Sequence, residues 1–379
     1  MRAYSDSNEE ALRARELLKD WIGEGLLTAE QYQRMEQETV CDLRRTNIFL
    51  RPVLFFFTLV IVGATVGLFL LGPGWNGILL IIFGVASYLT AEGAVFQGKL
   101  YRYGTEEALL ACSVGFICAG MQSILSGSVL VPSIGAILSL WIWHRFGIPY
   151  AFPAAMLFIA WLPTHWTSYP PEHIIIAAIY ASVLTIIATI RPRYRFTYLN
   201  ERFSLAEAFL WLGIYLAINL QLASLGLIGL HAPTDFPRPF YWTTWVLTWV
   251  LPPIVLVRGL REKDRFVIIV GALVAILTLI TNKPYLGWPR HTWDPMLLGA
   301  LLIGVALFLR RWLANSPGGI RYGFTAQRLS GKDKTWISAG AATVGLLSPN
   351  LITPSPQAGS PDVHFGGGKS GGGGASSDF

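Results

Sequence analysis

Seven residues inside long apolar blocks are the first places where chemistry could sit: Glu92, Gln122, Glu207, Asn219, Gln221, Pro252 and Pro253. A polar or ionisable group in a membrane is costly unless it is paired or hydrated, so it is the default pointer to function. Glu92 falls near the end of one block. Glu207 opens another, where the positive end of a helix stabilises a carboxylate. Asn219 and Gln221 share the block of Glu207, and Gln122 lies in an earlier one. Such residues suit a proton, cation or solute path in a transporter; they equally suit interfacial carboxylates and ordinary interhelical hydrogen bonds. Pro252 and Pro253 each lack an N–H, which predicts a broken helix whose freed carbonyls could line a cavity.

A second group lies between the blocks or at their ends. His165, Glu172, His173, His231, Asp235, His291 and Asp294 bring four of the six histidines close in sequence to carboxylates, with Arg238 and Arg290 nearby. Imidazole and carboxylate can ligate a metal or act as an acid–base pair. The spacing of His291 and Asp294 puts both on one side of a helical turn. No HExxH run accompanies them, and amphipathic placement at a membrane boundary accounts for them without a metal or cofactor, so neither is expected. Gly368-Lys369-Ser370 looks like the end of a phosphate loop, but Val363 stands where that motif needs glycine.

The elements that must position these residues follow from composition. The 379 residues are 53% hydrophobic and 14% charged, with mean hydropathy +0.48, against the roughly 25% charged residues of a soluble domain. The chain therefore reads as an all-α polytopic membrane bundle. Blocks near the ~20 residues needed to cross hydrocarbon fall at 52–71, 77–96, 108–126, 128–143, 148–163, 172–190, 205–224, 240–257, 265–282 and 294–313. The fourth and fifth are short, carry Pro132, Pro149 and Pro153, and could instead form a re-entrant pair, leaving eight spans.

Ten alternating spans with both termini inside place all but three of the 29 basic residues on the inner side, the exceptions being Arg238, Lys283 and Arg290. That asymmetry is the one that sets orientation in bacterial membranes. It puts both termini in the cytoplasm and His165, His173, His231 and His291 on the outer face. Trp75, Trp161, Trp166, Trp242, Trp245, Trp288 and Trp293 then lie toward the outer boundary, and Trp141, Trp143 and Trp312 toward the inner one. The formal charge of +6 meets anionic headgroups; no nucleic-acid partner is expected. Cys112 and Cys118 read as small buried hydrophobes, and Cys41 precedes the first span.

Residues 1–50 read as a cytoplasmic helical hairpin and juxtamembrane segment, 51–314 as the bundle, and 315–379 as a cytoplasmic tail, Gly/Pro/Ser-rich and largely disordered at its end. Within the tail, 335–352 reads as a surface-lying segment or an eleventh span. In the hairpin, Ala14, Leu17, Leu18 and Trp21 form an amphipathic stripe, and Thr28 with Gln31 fits a capping box. Tyr32 and Met35 are placed facing the first helix. So small a hairpin buries too little surface to stand alone, so a cytoplasmic partner or self-association is implied. Gly63 and Gly67 form a GxxxG pair that reads as packing within the bundle, with a dimer face as the alternative.

Leu17, Leu18 and Trp21 followed by Gly25-Leu26-Leu27-Thr28-Ala29-Glu30-Gln31 resemble the opening of a bacterial family of predicted membrane proteins of unknown function. In that family a short hairpin with a Gly-Leu-Ile-Ser/Thr turn precedes a series of spans. The resemblance implies a bacterial cytoplasmic membrane and brings no activity with it. Three functions stand open: a transporter or permease for a small neutral or lipid-like solute, a membrane scaffold or sensor, and a membrane enzyme with an outer-face His/carboxylate site. The first is preferred on span count and prolines.

Overall fold

In the computed structural model each of the ten apolar blocks is helical, because a helix pairs its own N–H and C=O groups where no water can. The structure describes all residues except 1, 24, 40–41, 45, 48, 71–75, 167–170, 195–199, 224–236, 289–290, 292, 316–319, 322–323 and 326–379. His231, Asp235, Cys41, the 335–352 segment and the Gly-rich end lie outside the described residues. The chain divides into two compact units, Met1–Leu309 and Arg310–Phe379. The described part of the second holds the end of the last helix and a two-residue antiparallel pair, Ile320–Arg321 with Phe324–Thr325.

The first unit opens with the hairpin α1 (Asp6–Gly23) and α2 (Ala29–Glu38). The membrane blocks become α3 (Leu50–Leu70), α4 (Asn76–Phe96), α5 (Thr105–Ile124), α6 (Leu130–Phe146), α7 (Ala151–Trp161), α8 (Pro171–Ile190), α9 (Asn200–Ile218), α11 (Arg238–Glu262), α12 (Arg265–Tyr285) and α13 (Asp294–Ala314), with a short α10 (Leu220–Ala223) after α9. Seven of these, α3, α4, α5, α8, α11, α12 and α13, are long and apolar enough to cross a membrane. Of the rest, α6 and α7 are shorter, and α9 carries Glu201, Arg202 and Glu207.

Several local expectations change. The break at Pro252-Pro253 does not occur: α11 runs unbroken from Arg238 to Glu262 with both prolines inside it. Pro252 has no N–H to offer the Thr248 carbonyl one turn back; the Thr278 hydroxyl of α12 lies 3.0 Å from that oxygen and 2.9 Å from the Val274 carbonyl of its own helix, so its one proton is shared between the open carbonyl across the interface and its own helix. The block placed at 205–224 starts earlier, at Asn200, and its helix stops at Ile218. In the hairpin the Thr28–Gln31 capping box forms, Tyr32 is half-buried, and Met35 is exposed. A side chain added at Gly63 or Gly67 would meet nothing within 4 Å, so this pair does not pack within the bundle. Close helix contact lies instead at Gly77, Gly84 and Gly120, between α4 and α5.

Among the described residues, two large apolar clusters and three smaller ones hold the first unit together. One large cluster joins α7, α8 and α9 through Phe152, Met156, Tyr180, Leu184, Leu210 and Ile214; the other joins α4, α5 and α6 through Ala91, Leu110, Ile142 and Phe146 and includes Tyr4 of the N-terminal arm. The lipid-facing surface is apolar, with Phe56, Ile82, Leu157, Ile269 and Ile303 exposed. Since lipid tails are as apolar as these side chains, packing and polar contacts have to supply the association of the helices.

Candidate functional site

One of the more polar helices of the bundle, α9, is also among its most buried. Along α9 and the short α10, Arg202, Ser204, Glu207, Asn219 and Gln221 are buried together with Tyr215, and each meets a partner from another element. They separate into two groups at opposite ends of α9.

At one end lies a four-charge cluster. Glu207, 1% exposed, accepts Arg191 Nη1–H at 2.5 Å on one oxygen and Arg258 Nε–H at 3.1 Å on the other. Arg191 also pairs with Asp264. The Ser204 hydroxyl donates to the Asp264 carboxylate at 2.6 Å, and Asp264 caps α12 by accepting Phe266 N–H at 2.9 Å. Two guanidinium groups therefore face two carboxylates, so the cluster is neutral as a whole and ties the ends of α8 and α11 to the starts of α9 and α12. It lies at the cationic end of the bundle. That end also holds Arg51 of α3, which grips both oxygens of Glu107 on α5, and Arg145 of α6, paired with Glu92 of α4.

The N-terminal arm is built into this end. Glu9, 3% exposed, bridges Arg2 at 2.6 Å and Arg202, 5% exposed, at 2.7 Å. Ala3 N–H donates to Arg145 O at 2.8 Å, and the Tyr4 hydroxyl donates to Leu100 O at 2.9 Å. Burial, with Glu106 close by, pushes the Tyr4 phenol far above its ordinary range, so it stays a neutral donor. Arg202 lies flat on Gly147, the left-handed residue (φ +66°) that ends α6; an added Cβ there would fall 2.0 Å from the guanidinium. Glycine at 147 thus meets two demands, the backbone turn and the space for Arg202.

At the other end the partners are hydroxyls and amides. The α9 helix is interrupted at Asn219, whose Nδ2 donates to Tyr215 OH at 2.7 Å and to Thr281 Oγ1 at 2.9 Å. The Tyr215 and Thr278 hydroxyls lie 3.0 Å apart. With Tyr215 as donor, the chain runs Asn219 to Tyr215 to Thr278 and ends on the Thr248 carbonyl that Pro252 leaves open. Gln221 N–H donates back to Asn219 Oδ1, and the Gln221 amide donates to Tyr241 OH at 2.9 Å. Tyr241 donates to Tyr285 O, while Tyr285 OH accepts Leu220 N–H at 2.8 Å. Between the two groups, α9 presents buried Ala208, Leu210 and Ile214. The eight residue steps from Glu207 to Tyr215 rise about 12 Å.

Of the residues singled out from sequence, Glu207, Asn219, Gln221 and Pro252 meet along α9 and its neighbours. Pro253 lies on the exposed side of α11. Glu92 stands apart with Arg145, and Gln122 is half-buried toward the far end of α5. The described residues of the second group keep separate surroundings. The His173 Nδ1–H donates to Ala217 O at 2.7 Å, tying α8 to α9; beside it Glu172 is buried, with one carboxylate oxygen lacking a hydrogen-bond partner. His165 rests against Trp161. His291 stacks on Trp293, and its backbone N–H donates to Asp294, which also pairs with Lys283. Among the described residues no group of three or more His, Cys, Asp or Glu is arranged to hold a metal ion.

Sequence reasoning missed Arg191, Ser204, Arg258 and Asp264 as one cluster with Glu207, and it missed the hydroxyls of Tyr215, Thr278, Thr281, Tyr241 and Tyr285. A signal existed for Asp264, which stands immediately before an apolar run as an N-cap should. Tyrosine and threonine inside apolar blocks give no such signal. No family model, curated protein or solved structure matches the chain.

Proposed function

We propose that the protein is a permease for a small neutral solute, with α9 as the axis of its path. One observation carries the reading: α9 holds buried polar groups toward both ends, an apolar stretch of about 12 Å between them, and a helix break at Asn219 within the second group. Discontinuous helices whose backbone and side chains face neighbouring polar groups are a recurrent way to build a transport site. The Asn219 chain offers both donors and acceptors without net charge. Its hydrogen bonds can be exchanged for those of a neutral solute at little cost, whereas an ion would need a counter-charge.

In this reading all ten helices cross the cytoplasmic membrane and both termini lie in the cytoplasm, which the distribution of basic residues supports. The α6–α7 pair bears on the count. Its turn at Gly147 sits under Arg202, and Arg145 sits beside Glu92; both contacts favour helices that reach the cationic end over a re-entrant pair turning at mid-depth. At 17 residues α6 is roughly 25 Å long and α7 at 11 residues only about 16 Å; even with the short turn that extends α7 to His165, the pair needs marked local thinning of the bilayer.

The test is stopped-flow light scattering on vesicles holding the full chain, with glycerol and urea as probes. Flux above protein-free vesicles is expected, and Asn219→Ala is expected to change it about tenfold, the worth of a buried hydrogen bond near 1.4 kcal/mol. Flux equal to that of empty vesicles for both probes, or an Asn219→Ala variant indistinguishable from the parent, overturns the assignment.

A second reading, self-association through the hairpin, has its own observation. While Leu18 is buried and Glu9 anchors α1, the hairpin leaves Leu17, Trp21, Ile22, Leu26 and Met35 exposed. Light scattering of the full chain in detergent should then give a dimer that Trp21→Ser with Leu26→Ser converts to monomer. A monomeric parent removes the idea.

A further inference from the structure

The break in α9 is a set of exchanged hydrogen bonds. A continuous helix would send Leu220 N–H to Leu216 O and Gln221 N–H to Ala217 O, each four residues back. Asn219 N–H still follows that rule and reaches Tyr215 O at 2.8 Å. The next two do not. Leu220 N–H donates to Tyr285 OH at 2.8 Å, and Gln221 N–H to Asn219 Oδ1 at 3.1 Å. Helix resumes in a tighter form, with Leu222 N–H on Asn219 O at 3.2 Å. Ala217 is buried, so its carbonyl loses a ladder donor in a place where an open acceptor is costly.

His173 supplies the missing donor. Its Nδ1–H reaches Ala217 O at 2.7 Å. A carbonyl can only accept, so Nδ1 carries the proton. From sequence this residue groups with the outer-face histidines. In the structure it stands in the first turn of α8, 2% exposed, with its ring against the backbone two residues before Asn219. The two bond sets are exchangeable. Returning Gln221 N–H to Ala217 O would rebuild the ladder and release His173 Nδ1–H and Asn219 Oδ1 together, one donor and one acceptor within a turn of helix. A hydroxyl or an amide, which donates and accepts at once, matches both.

We propose that His173 is a positioning residue of the path, the latch that holds α9 open at Asn219. What the latch serves rests on the permease reading; that it exists does not. With the latch made, Gln221 N–H stays on Asn219 Oδ1, and the fixed amide turns its Nδ2 to Tyr215 and Thr281. With the latch released, the ladder closes and the freed donor and acceptor pass to the solute. The break is then a two-state element in which α8 and the solute compete for the same groups.

The experiment is a double-mutant cycle of His173→Ala with Asn219→Ala on the full chain, read by thermal unfolding in detergent and by glycerol and urea flux into vesicles. Residues that act through one backbone break are non-additive, whereas independent ones add. Each single variant is expected to lower Tm and to change flux about tenfold, the worth of one buried hydrogen bond. Together they should do no more than the larger single change, about tenfold in flux instead of about a hundredfold. His173→Asn, whose amide nitrogen is bonded to Cγ as Nδ1 is, should restore both readouts. His173→Gln, whose nitrogen lies one bond farther out, should not. Additive changes in either readout, a His173→Ala variant that matches the parent, or His173→Asn no better than His173→Ala overturns the latch. Parent flux equal to that of empty vesicles overturns the permease reading alone, and the unfolding cycle then decides the latch. Should His173→Ala fail to fold, the comparison of His173→Asn with His173→Gln decides in its place.

Discussion

Replacing Glu207 by alanine is expected to lower stability by about 3–5 kcal/mol, the usual cost of removing one partner from a buried ion pair. The carboxylate sits between Arg191 and Arg258, and among the described residues it is the acid that Arg191 shares with another arginine. Its removal leaves Arg191, which is 10% exposed at the side chain, with Asp264 as counter-charge and a long 3.3 Å hydrogen bond to Asn200 Oδ1. Arg258 is about a third exposed and can turn to water and to Glu262, its partner one helical turn on, so most of the loss comes from Arg191. Glu207→Gln keeps the volume and one acceptor and should cost less. Exchanging Glu207 for leucine and Arg191 for methionine together should not recover the loss, because it leaves the buried Asp264 without its arginine. Thermal unfolding of the full chain in detergent reads all three. A Tm for Glu207→Ala equal to that of the parent would show that the charges are hydrated, and the cluster would lose its place as a structural tie.

How much of this was legible beforehand follows from what hydropathy encodes. Helix positions could be read because a membrane-crossing helix must be apolar along its length, and basic residues could be assigned to one end because they flank the blocks. Glu207 stood out for the same reason: it is an acid at the edge of an apolar run. Its partners could not be read. Arg191 and Asp264 stand 16 and 73 residues apart from Glu207 and Arg191 respectively, and helices that are apolar all round give no periodicity to show which face turns inward. Tyr215 and Thr278 count as unremarkable members of an apolar block until their hydroxyls are found opposite each other. The prolines misled for a definite reason. Sequence shows the N–H that Pro252 lacks but not the Thr278 hydroxyl that partly compensates for it.

The glycines make the same point and carry the last prediction. Gly115 and Gly120 lie on one helix, five residues apart, and sequence gives no ground for ranking them; Gly115, with Ala119, even has the small-xxx-small spacing of a packing motif. In the structure Gly115 and Ala119 are exposed, whereas Gly120 is buried. A Cβ added at Gly120 would fall 2.5 Å from the Gly77 carbonyl and 2.8 Å from Ile81, while one at Gly115 would meet nothing within 4 Å. Gly84 repeats the arrangement one step along, against Ile117 and the Ser113 carbonyl. The obstructing atoms at Gly120 include backbone, which cannot rotate away, so α4 and α5 must separate to admit a side chain. Gly120→Leu is therefore expected to cost ~1–3 kcal/mol or more through overpacking. Gly115→Leu should be neutral or slightly stabilising, since leucine favours a helix over glycine by nearly 1 kcal/mol. The contrast is read in the same unfolding assay, and because both variants add the same side chain to the same helix, general effects of hydrophobicity or insertion cancel. If the two variants unfold alike, α4 and α5 do not meet at Gly120, and the close approach that positions Glu106 and Glu107 beside α3 loses its support.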